Sequence, residues 1–135
     1  YDRVYIDMNN YKVNDMLPEL KFNEKMFKLI VEKKKSATRR KDPKDICGGL
    51  YVAGVCPGHE SRVMMKCIDK YPQKISEMSE EDAVKEGFTN LEEFKQEIAS
   101  IYGQDYLDSD PTMWAYEFQI VSVYMPEKGL EDDGF

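Results

Sequence analysis

The segment MSEEDAVKEGFTNLEEFKQEIASIY, from Met78 to Tyr102, carries the clearest structural signals in the chain. Ser79 precedes three acidic residues and is a predicted N-cap, and Gly87 is placed to end that first helix in the left-handed conformation. Asn90 and Glu93 have the spacing of a capping box ahead of a second run with apolar residues at helical spacing. The segment therefore predicts two consecutive helices, each with an acidic first turn that suits the helix dipole.

Strand-like runs lie on both sides of these two helices. The runs from Gly48 to Cys56 and from Ser61 to Tyr71 surround Pro57-Gly58-His59-Glu60, which is a hairpin signal. After a turn-rich stretch from Gly103 to Pro111, the longest β-like run extends from Met113 to Tyr124. These patterns predict that the two helices are inserted between strands of one sheet.

The region before the hairpin predicts a strand, a helix and a second strand. A short strand at Leu20 to Phe22 leads to Asn23, a predicted N-cap, and the following residues form an amphipathic helix through Lys34. Ser36 to Arg40 has no helical face and is predicted to be extended. The complete order of elements indicates an α+β domain in which helices flank a small β-barrel or curved sheet.

Length and composition are those of one globular domain. The 135 residues are 41% hydrophobic and 33% charged, which excludes a disordered chain, and the 6 Pro and 8 Gly exclude a fibrous one. We divide the chain into an N-terminal extension (1–18), with at most one short strand near Val4 to Met8, a folded domain (19–125) and an acidic C-terminal tail (126–135). The extension and the tail carry the turn-forming and acidic residues typical of segments outside a core.

The sequence also favours a location and excludes some partners. No run approaches the ~18–20 apolar residues of a membrane span, so we expect no membrane interaction. The odd number of cysteines, in a chain large enough to need no disulfide, is typical of reduced thiols, and we therefore expect a cytoplasmic protein. No pattern predicts a cofactor, and the oligomeric state is left open.

Basic residues are concentrated in one region of an otherwise acidic chain. From Lys21 to Lys44, ten basic residues face three acidic ones, giving a local charge of +7 in a chain whose net charge is −7. Such a patch attracts a phosphate-bearing ligand through its local field, whereas the acidic remainder repels non-specific duplex binding. The alternative is a solvated helix end followed by an exposed strand.

Three segments together resemble the ASCH family. They are KKKSATRR at Lys33 to Arg40, the two-helix segment with its Asp-Ala, Gly-Phe and Glu-Phe pairs, and WAYEF at Trp114 to Phe118. The resemblance implies a PUA-like β-barrel over residues 19–125 that binds RNA or a modified nucleoside in a basic cleft. Lys33 stands where the family often has glycine, so a different exit from the preceding helix is expected.

The same resemblance implies which residues form the site. Bacterial amidohydrolases of N(4)-acetylcytidine within this superfamily use a lysine, a threonine three residues later and a glutamate on the helical segment. These positions match Lys35, Thr38 and Glu86, which become the candidate catalytic residues. The candidate ligand-binding residues are their basic and polar neighbours Lys34, Ser36, Arg39 and Arg40.

The chemistry of this set is coherent, although three alternatives remain open. A desolvated lysine can accept the proton of a threonine hydroxyl, and a carboxylate can orient that lysine. On one strand, however, residues three apart point to opposite faces, so Lys35 and Thr38 meet only if the chain turns between them. Binding without catalysis is the interpretation we favour. The alternatives are removal of acyl groups from N(4)-acylated cytidine by Thr38, Lys35 and Glu86, Glu86 as a structural ion-pair partner, and an adaptor that binds another protein through its charged surfaces.

Two further sets of residues are of types that can bind a metal ion or a base. One set combines cysteine and histidine: Cys47, Cys56, His59 and Cys67. It includes one close pair with a spacing typical of zinc ligands, but the other gaps are long, and the position of Cys67 on its predicted strand directs it towards the core. No metal is therefore predicted. Aromatic residues that could stack on bases are mostly expected in the core: Tyr51, Tyr71, Tyr102, Trp114 and Tyr116.

Overall fold

The fold is built on one five-stranded sheet. The computed structural model describes residues 17–126. Its strands are β1 (Glu19–Lys21), β2 (Ala37–Arg40), β3 (Tyr51–Val55), β4 (Arg62–Lys74) and β5 (Thr112–Tyr124). They lie in the order β1-β3-β4-β5-β2, with β1 parallel to β3 and every other pair antiparallel. The predicted strand near Val4 to Met8, most of the predicted extension and the tail from residue 127 lie outside the described residues.

The two long strands curl the sheet into a half-barrel. β4 and β5 pair along nearly their whole length, with register shifts between Met64 and Met65 and between Cys67 and Asp69. Each shift places an extra residue on one strand, which bends the strand and increases its twist. The predicted α+β class and PUA-like architecture are confirmed, with helices that flank a curled five-stranded sheet. The predicted hairpin is also confirmed, since Val55 pairs with Arg62 across the turn.

Three of the four helices in the described part of the chain begin where the sequence predicts. The helices there are α1 (Glu24–Val31), α2 (Glu80–Lys85), α3 (Leu91–Tyr102) and α4 (Gln104–Asp108), together with a 3-10 turn at Ile75–Glu77. The side-chain oxygens of the predicted caps accept backbone N–H groups three residues later: Asn23 from Met26 (2.8 Å), Ser79 from Asp82 (3.1 Å) and Asn90 from Glu93 (2.9 Å). Within residues 17–126, no helix is long and apolar enough to cross a membrane.

α4 replaces part of the stretch that the sequence predicts to be turns. Gly103, at φ +102°, ends α3 and immediately precedes α4, so the chain changes direction without leaving helical structure. Tyr106 and Leu107 then pack against a cluster of buried apolar residues. The sequence pattern missed this helix because five residues are too few to show helical periodicity.

The core consists of two clusters that the half-barrel keeps apart. The first lies between α1 and the sheet and includes Leu20, Phe22, Phe27, Ile30, Val63, Met65, Cys67, Tyr116 and Phe118. The second lies under α2 and α3 and includes Ile75, Met78, Ala83, Phe88, Phe94, Ile98 and Met113. Met26 packs against both clusters, so α1 connects the two halves of the domain.

Candidate functional site

A cleft opens between the two core clusters and contains the predicted catalytic residues. We call it the central cleft; its volume is about 210 Å³. Lys35, Thr38 and Glu86 all line it, together with Arg39 and Arg40. Its apolar wall is formed by Phe22, Met26, Phe88, Phe94, Ile98 and Ile101, and its other polar residues are Lys21, Asn23, Glu97 and Tyr102. The structure therefore brings together predicted catalytic residues that are up to 51 positions apart in the sequence.

β2 directs Thr38 and Arg40 to the same face. They are two residues apart on a strand, so their side chains point the same way, and Arg40 Nε donates to Thr38 Oγ1 at 3.2 Å. Arg40 Nη2 also donates to the Lys21 carbonyl at 3.0 Å, and the guanidinium lies 5.0 Å from the centre of the Phe22 ring. Thr38 is therefore buried beside a fixed cation that donates to its hydroxyl oxygen.

The exit from α1 turns Lys35 inward before β2 begins. Lys33 adopts the left-handed conformation at φ +64°, and the backbone N–H groups of Lys34 and Lys35 both donate to the Leu29 carbonyl. Ser36 N then donates to the Lys85 carbonyl at 2.8 Å, which joins this segment to the end of α2. Lys35 is thus outside the strand, which is how it shares a cleft with Thr38 despite their unfavourable spacing.

Glu86 binds two cations in the floor of the cleft. Lys35 Nζ lies 3.2 Å from Glu86 Oε1 and donates to the Glu86 carbonyl at 2.9 Å. Arg39 Nη1 donates to Glu86 Oε2 at 2.8 Å. All three side chains are at least 96% buried, so this is an ion-pair network shielded from solvent. Burial lowers the pKa of Lys35, and the Glu86 carboxylate opposes that shift.

Gly87 lies directly beside this network. It follows Glu86 at φ +101°, a conformation that L side chains rarely adopt. A Cβ atom there would lie 3.0 Å from Leu29 Cδ1 and 3.4 Å from Lys35 Cβ. Glycine is therefore favoured here mainly by its positive φ, and a side chain would also require Leu29 to shift.

Arg39 is a supporting residue whose partners the sequence did not indicate. Its Nη2 and Nε donate to Gln73 Oε1 at 2.5 and 3.2 Å, and Nη2 lies 4.0 Å from Asp82 Oδ2. With Glu86, these contacts occupy the guanidinium, so Arg39 positions Glu86 and has little capacity left for a ligand. Gln73 and Asp82 belong to different elements, and no local pattern relates them to Arg39.

Two of the predicted ligand-binding residues lie outside the central cleft. Lys34 is exposed and pairs with Glu32 at 3.4 Å. Ser36 is exposed in a separate depression that Phe118 and Ile120 also line. The predicted residues that do line the cleft are Lys35, Thr38, Arg39, Arg40 and Glu86. Among the aromatic candidates, Tyr102 lines the cleft and Tyr116 is fully buried in the core.

The cysteine and histidine side chains do not form the zinc site considered above. Across residues 17–126, which include all four candidates, no group of three or more histidine, cysteine or acidic residues is arranged to hold a metal ion. Cys56 and Cys67 are buried and Cys47 is half-buried, and none of the three forms a disulfide. Burial, together with a hydrogen bond to Cys47, raises the pKa of Cys67 to about 12, as expected for a core thiol.

The conformation of Lys33 leads to a stability prediction. A non-glycine residue in the left-handed region costs roughly 1–2 kcal/mol, whereas glycine loses more chain entropy on folding. Lys33→Gly is therefore expected to raise the free energy of unfolding by about 0.5–1 kcal/mol in urea denaturation. Lys34→Gly is the matched control and should lower it, because Lys34 does not have a positive φ. A loss of stability in both variants would contradict this explanation.

Known structures share this fold, although their sequences are distant. No protein-family model matches the sequence, and no curated protein is significantly similar to it. The crystal structure of a DUF984 family-model protein from Enterococcus faecalis V583 matches with a TM-score of 0.61 at 18% identity, over 89% of this chain and 93% of that chain. The crystal structure of an ASCH domain from Lactobacillus crispatus JV V101 matches with a TM-score of 0.65 at 10% identity, over 89% and 94% of the respective chains. This chain therefore has an ASCH-like fold, as its sequence motifs predicted.

Proposed function

We propose that this protein binds a modified nucleoside in the central cleft. The observation that carries the proposal is the convergence of Lys35, Thr38, Arg40 and Glu86 with aromatic side chains in one cavity. Polar groups fixed at the base of a largely apolar cavity are typical of small-molecule sites, because the apolar wall binds the ligand and the polar groups orient it.

The size of the cleft favours a single planar heterocycle. Cavities for drug-sized ligands measure roughly 300–1,000 Å³, and the central cleft is smaller, at about 210 Å³. One base fits this volume better than several stacked bases. Tyr102 at the rim is 37% exposed and offers a ring on which such a base can stack.

The charge of the lining favours an electron-rich ligand. Four basic side chains (Lys21, Lys35, Arg39 and Arg40) and two acidic ones (Glu86 and Glu97) line the cleft. Glu86 is already paired with two of these cations, so its charge is compensated inside the protein. The remaining field is positive and attracts carbonyl oxygens or a phosphate.

A second candidate function is hydrolysis of an N(4)-acylated cytidine. It is favoured by the contact of Arg40 Nε with Thr38 Oγ1, because a cation that donates to a hydroxyl oxygen stabilises the alkoxide. Lys35 Nζ is paired with Glu86, so the ligand must draw Lys35 towards Thr38 before reaction.

The reaction would proceed through an acyl-enzyme. Neutral Lys35 accepts the Thr38 hydroxyl proton while Oγ1 forms a bond to the acyl carbon. The bond between the acyl carbon and N4 then breaks as that proton passes to N4. Water next attacks the Thr38 ester while Lys35 accepts one of its protons. Lys35 then returns that proton to Thr38 Oγ1 as the bond between the acyl carbon and Oγ1 breaks and the carboxylic acid leaves. The lowered pKa of Lys35 increases the fraction of neutral amine available for both steps.

Binding is tested by calorimetry with a panel of nucleosides that includes cytidine, N(4)-acetylcytidine and other base-modified forms. Tyr102→Ala is expected to weaken binding by roughly 5- to 150-fold, since base stacking contributes about 1–3 kcal/mol per base. Tyr102→Phe is the matched control and should retain the affinity because it keeps the ring. If no nucleoside on the panel binds, or if Tyr102→Ala binds as well as the wild type, the nucleoside proposal fails.

A further inference from the structure

We infer that the ligand of the central cleft carries a phosphate on its ribose, and that this phosphate binds in an adjoining cavity. This inference rests on the proposed function. We call the second cavity the basic annex; it is lined by Arg40, Lys41, Asp42, Pro43, Lys44 and Tyr102 and has a volume of about 260 Å³.

The two cavities share a wall. Arg40 and Tyr102 line both of them, so a ligand that contacts these two side chains can extend from one cavity into the other. Arg40 donates to Thr38 on the cleft side and to the Lys21 carbonyl. The shared residues therefore combine an aromatic ring and a guanidinium at the passage between the cavities.

The charge of the annex differs from that of the rest of the chain. Three basic side chains line it (Arg40, Lys41 and Lys44) against one acidic side chain, Asp42. The Lys41 ammonium lies 5.4 Å from the centre of the Tyr106 ring and 6.0 Å from that of Tyr102, which keeps it near the shared wall. Guanidinium and ammonium groups that surround a small cavity favour a phosphate, which accepts several charge-assisted hydrogen bonds.

The loop that forms the annex is anchored to the core. Lys44 N donates to the hydroxyl oxygen of Tyr116 at 2.6 Å, and the Lys44 carbonyl accepts from Lys70 Nζ at 2.7 Å. Tyr116 is fully buried on β5, so it provides a fixed attachment point. A preformed loop costs less entropy on binding than one that must be ordered by the ligand.

The chemistry of the combined site is that of a nucleotide. The central cleft suits a planar heterocycle, the annex suits a phosphate, and the two are joined at Arg40 and Tyr102. A free nucleoside fills only the first cavity. A nucleoside monophosphate, or the same nucleotide within a short RNA, supplies both parts.

The test measures the affinity of matched ligands by calorimetry at low salt. The ligands are the tightest-binding nucleoside of the panel above, its 5′- and 3′-monophosphates, a trinucleotide RNA with that nucleoside in the centre, and ribose 5-phosphate, which has no base. We expect at least one phosphate-bearing form to bind about tenfold more tightly than the nucleoside, because hydrogen bonds between charged groups are stronger than neutral ones. The form whose affinity increases most shows whether the phosphate belongs to a free nucleotide or to an RNA.

A double variant tests whether the basic annex causes the higher affinity for phosphate-bearing ligands. Lys41→Ala with Lys44→Ala should remove the preference for phosphate and leave the nucleoside affinity unchanged, because neither residue lines the central cleft. Lys66→Ala, an exposed lysine on β4, is the control and should keep the preference.

The outcomes separate the two proposals. Equal affinity for the nucleoside and all its phosphorylated forms would overturn the inference but leave the nucleoside proposal standing. If instead ribose 5-phosphate binds as tightly as the nucleotides, and the double variant loses it, the annex is confirmed while the proposed role of the cleft as a base site fails.

Discussion

Glu86→Gln is expected to lower the free energy of unfolding by about 3–5 kcal/mol, the range found when one partner of a buried ion pair is removed. The carboxylate lies between Lys35 and Arg39 in a site from which water is excluded. Without the negative charge of Glu86, two buried cations lose the group that balances their positive charge. Denaturant unfolding measures the change. Glu81→Gln, which changes an exposed glutamate on α2, the helix that ends just before Glu86, is the control and should change stability by less than about 0.5 kcal/mol.

The pH dependence of this variant identifies Lys35 as the cause. Burial already lowers the pKa of Lys35 in the wild type, and loss of the opposing Glu86 charge should lower it further. When the pKa of a group is lower in the folded state than in the unfolded state, the unfolded chain binds more protons at pH values between the two. The free energy of unfolding therefore rises with pH in that range. The deficit of Glu86→Gln should therefore shrink as the pH rises from neutrality towards 10.5, the ordinary pKa of lysine. A deficit that is independent of pH, or below about 1 kcal/mol at pH 7, would contradict the buried-network explanation.

Thr38→Ala is expected to reduce release of the acyl group from N(4)-acylated cytidine at least about 10³-fold if the second candidate function is correct, because it removes the nucleophile. Thr38→Ser keeps a hydroxyl at the same position and should retain measurable turnover. The assay follows the free carboxylic acid and the deacylated nucleoside, with denaturant unfolding of each variant to confirm that the fold is intact.

The structure makes this prediction sharper than the sequence did. Thr38 Oγ1 already accepts from Arg40 Nε, so Arg40→Met should also reduce turnover while leaving the hydroxyl in place. If wild-type protein releases no acyl group from any N(4)-acylated cytidine, or if Thr38→Ala is as active as the wild type, the hydrolase function is wrong for these substrates. Nucleoside binding, measured separately, would be unaffected by that result.

Features that depend on neighbouring residues were predictable from the sequence. The caps at Asn23, Ser79 and Asn90, the left-handed Gly87 and the hairpin around Pro57 to Glu60 were all predicted and are all present. Each of them satisfies backbone groups within a few residues along the chain, so its signal is complete in a short window of sequence.

The candidate site required more than local signals. Lys35, Thr38 and Glu86 were selected by resemblance to a family motif, and the cavity that brings them together is consistent with that choice. The roles of Lys34 and Ser36 as ligand-binding residues remain predictions, and both residues lie outside the central cleft. Exposure of a side chain depends on how the chain leaves α1, which the motif does not specify.

The sequence by itself determined the order of the elements other than α4, the α+β class, the basic region and the residues that the family motif selects. Only the tertiary structure decided that Lys35 turns inward, that Glu86 is shared between Lys35 and Arg39, and that Gln73 and Phe88 surround the site. These contacts join segments separated by more than thirty residues, and their partners are chosen by packing of the curled sheet against α1 and α2. Packing of this kind has no counterpart in local propensity, because a buried ion pair is favourable only when the whole fold removes water from both charges at once.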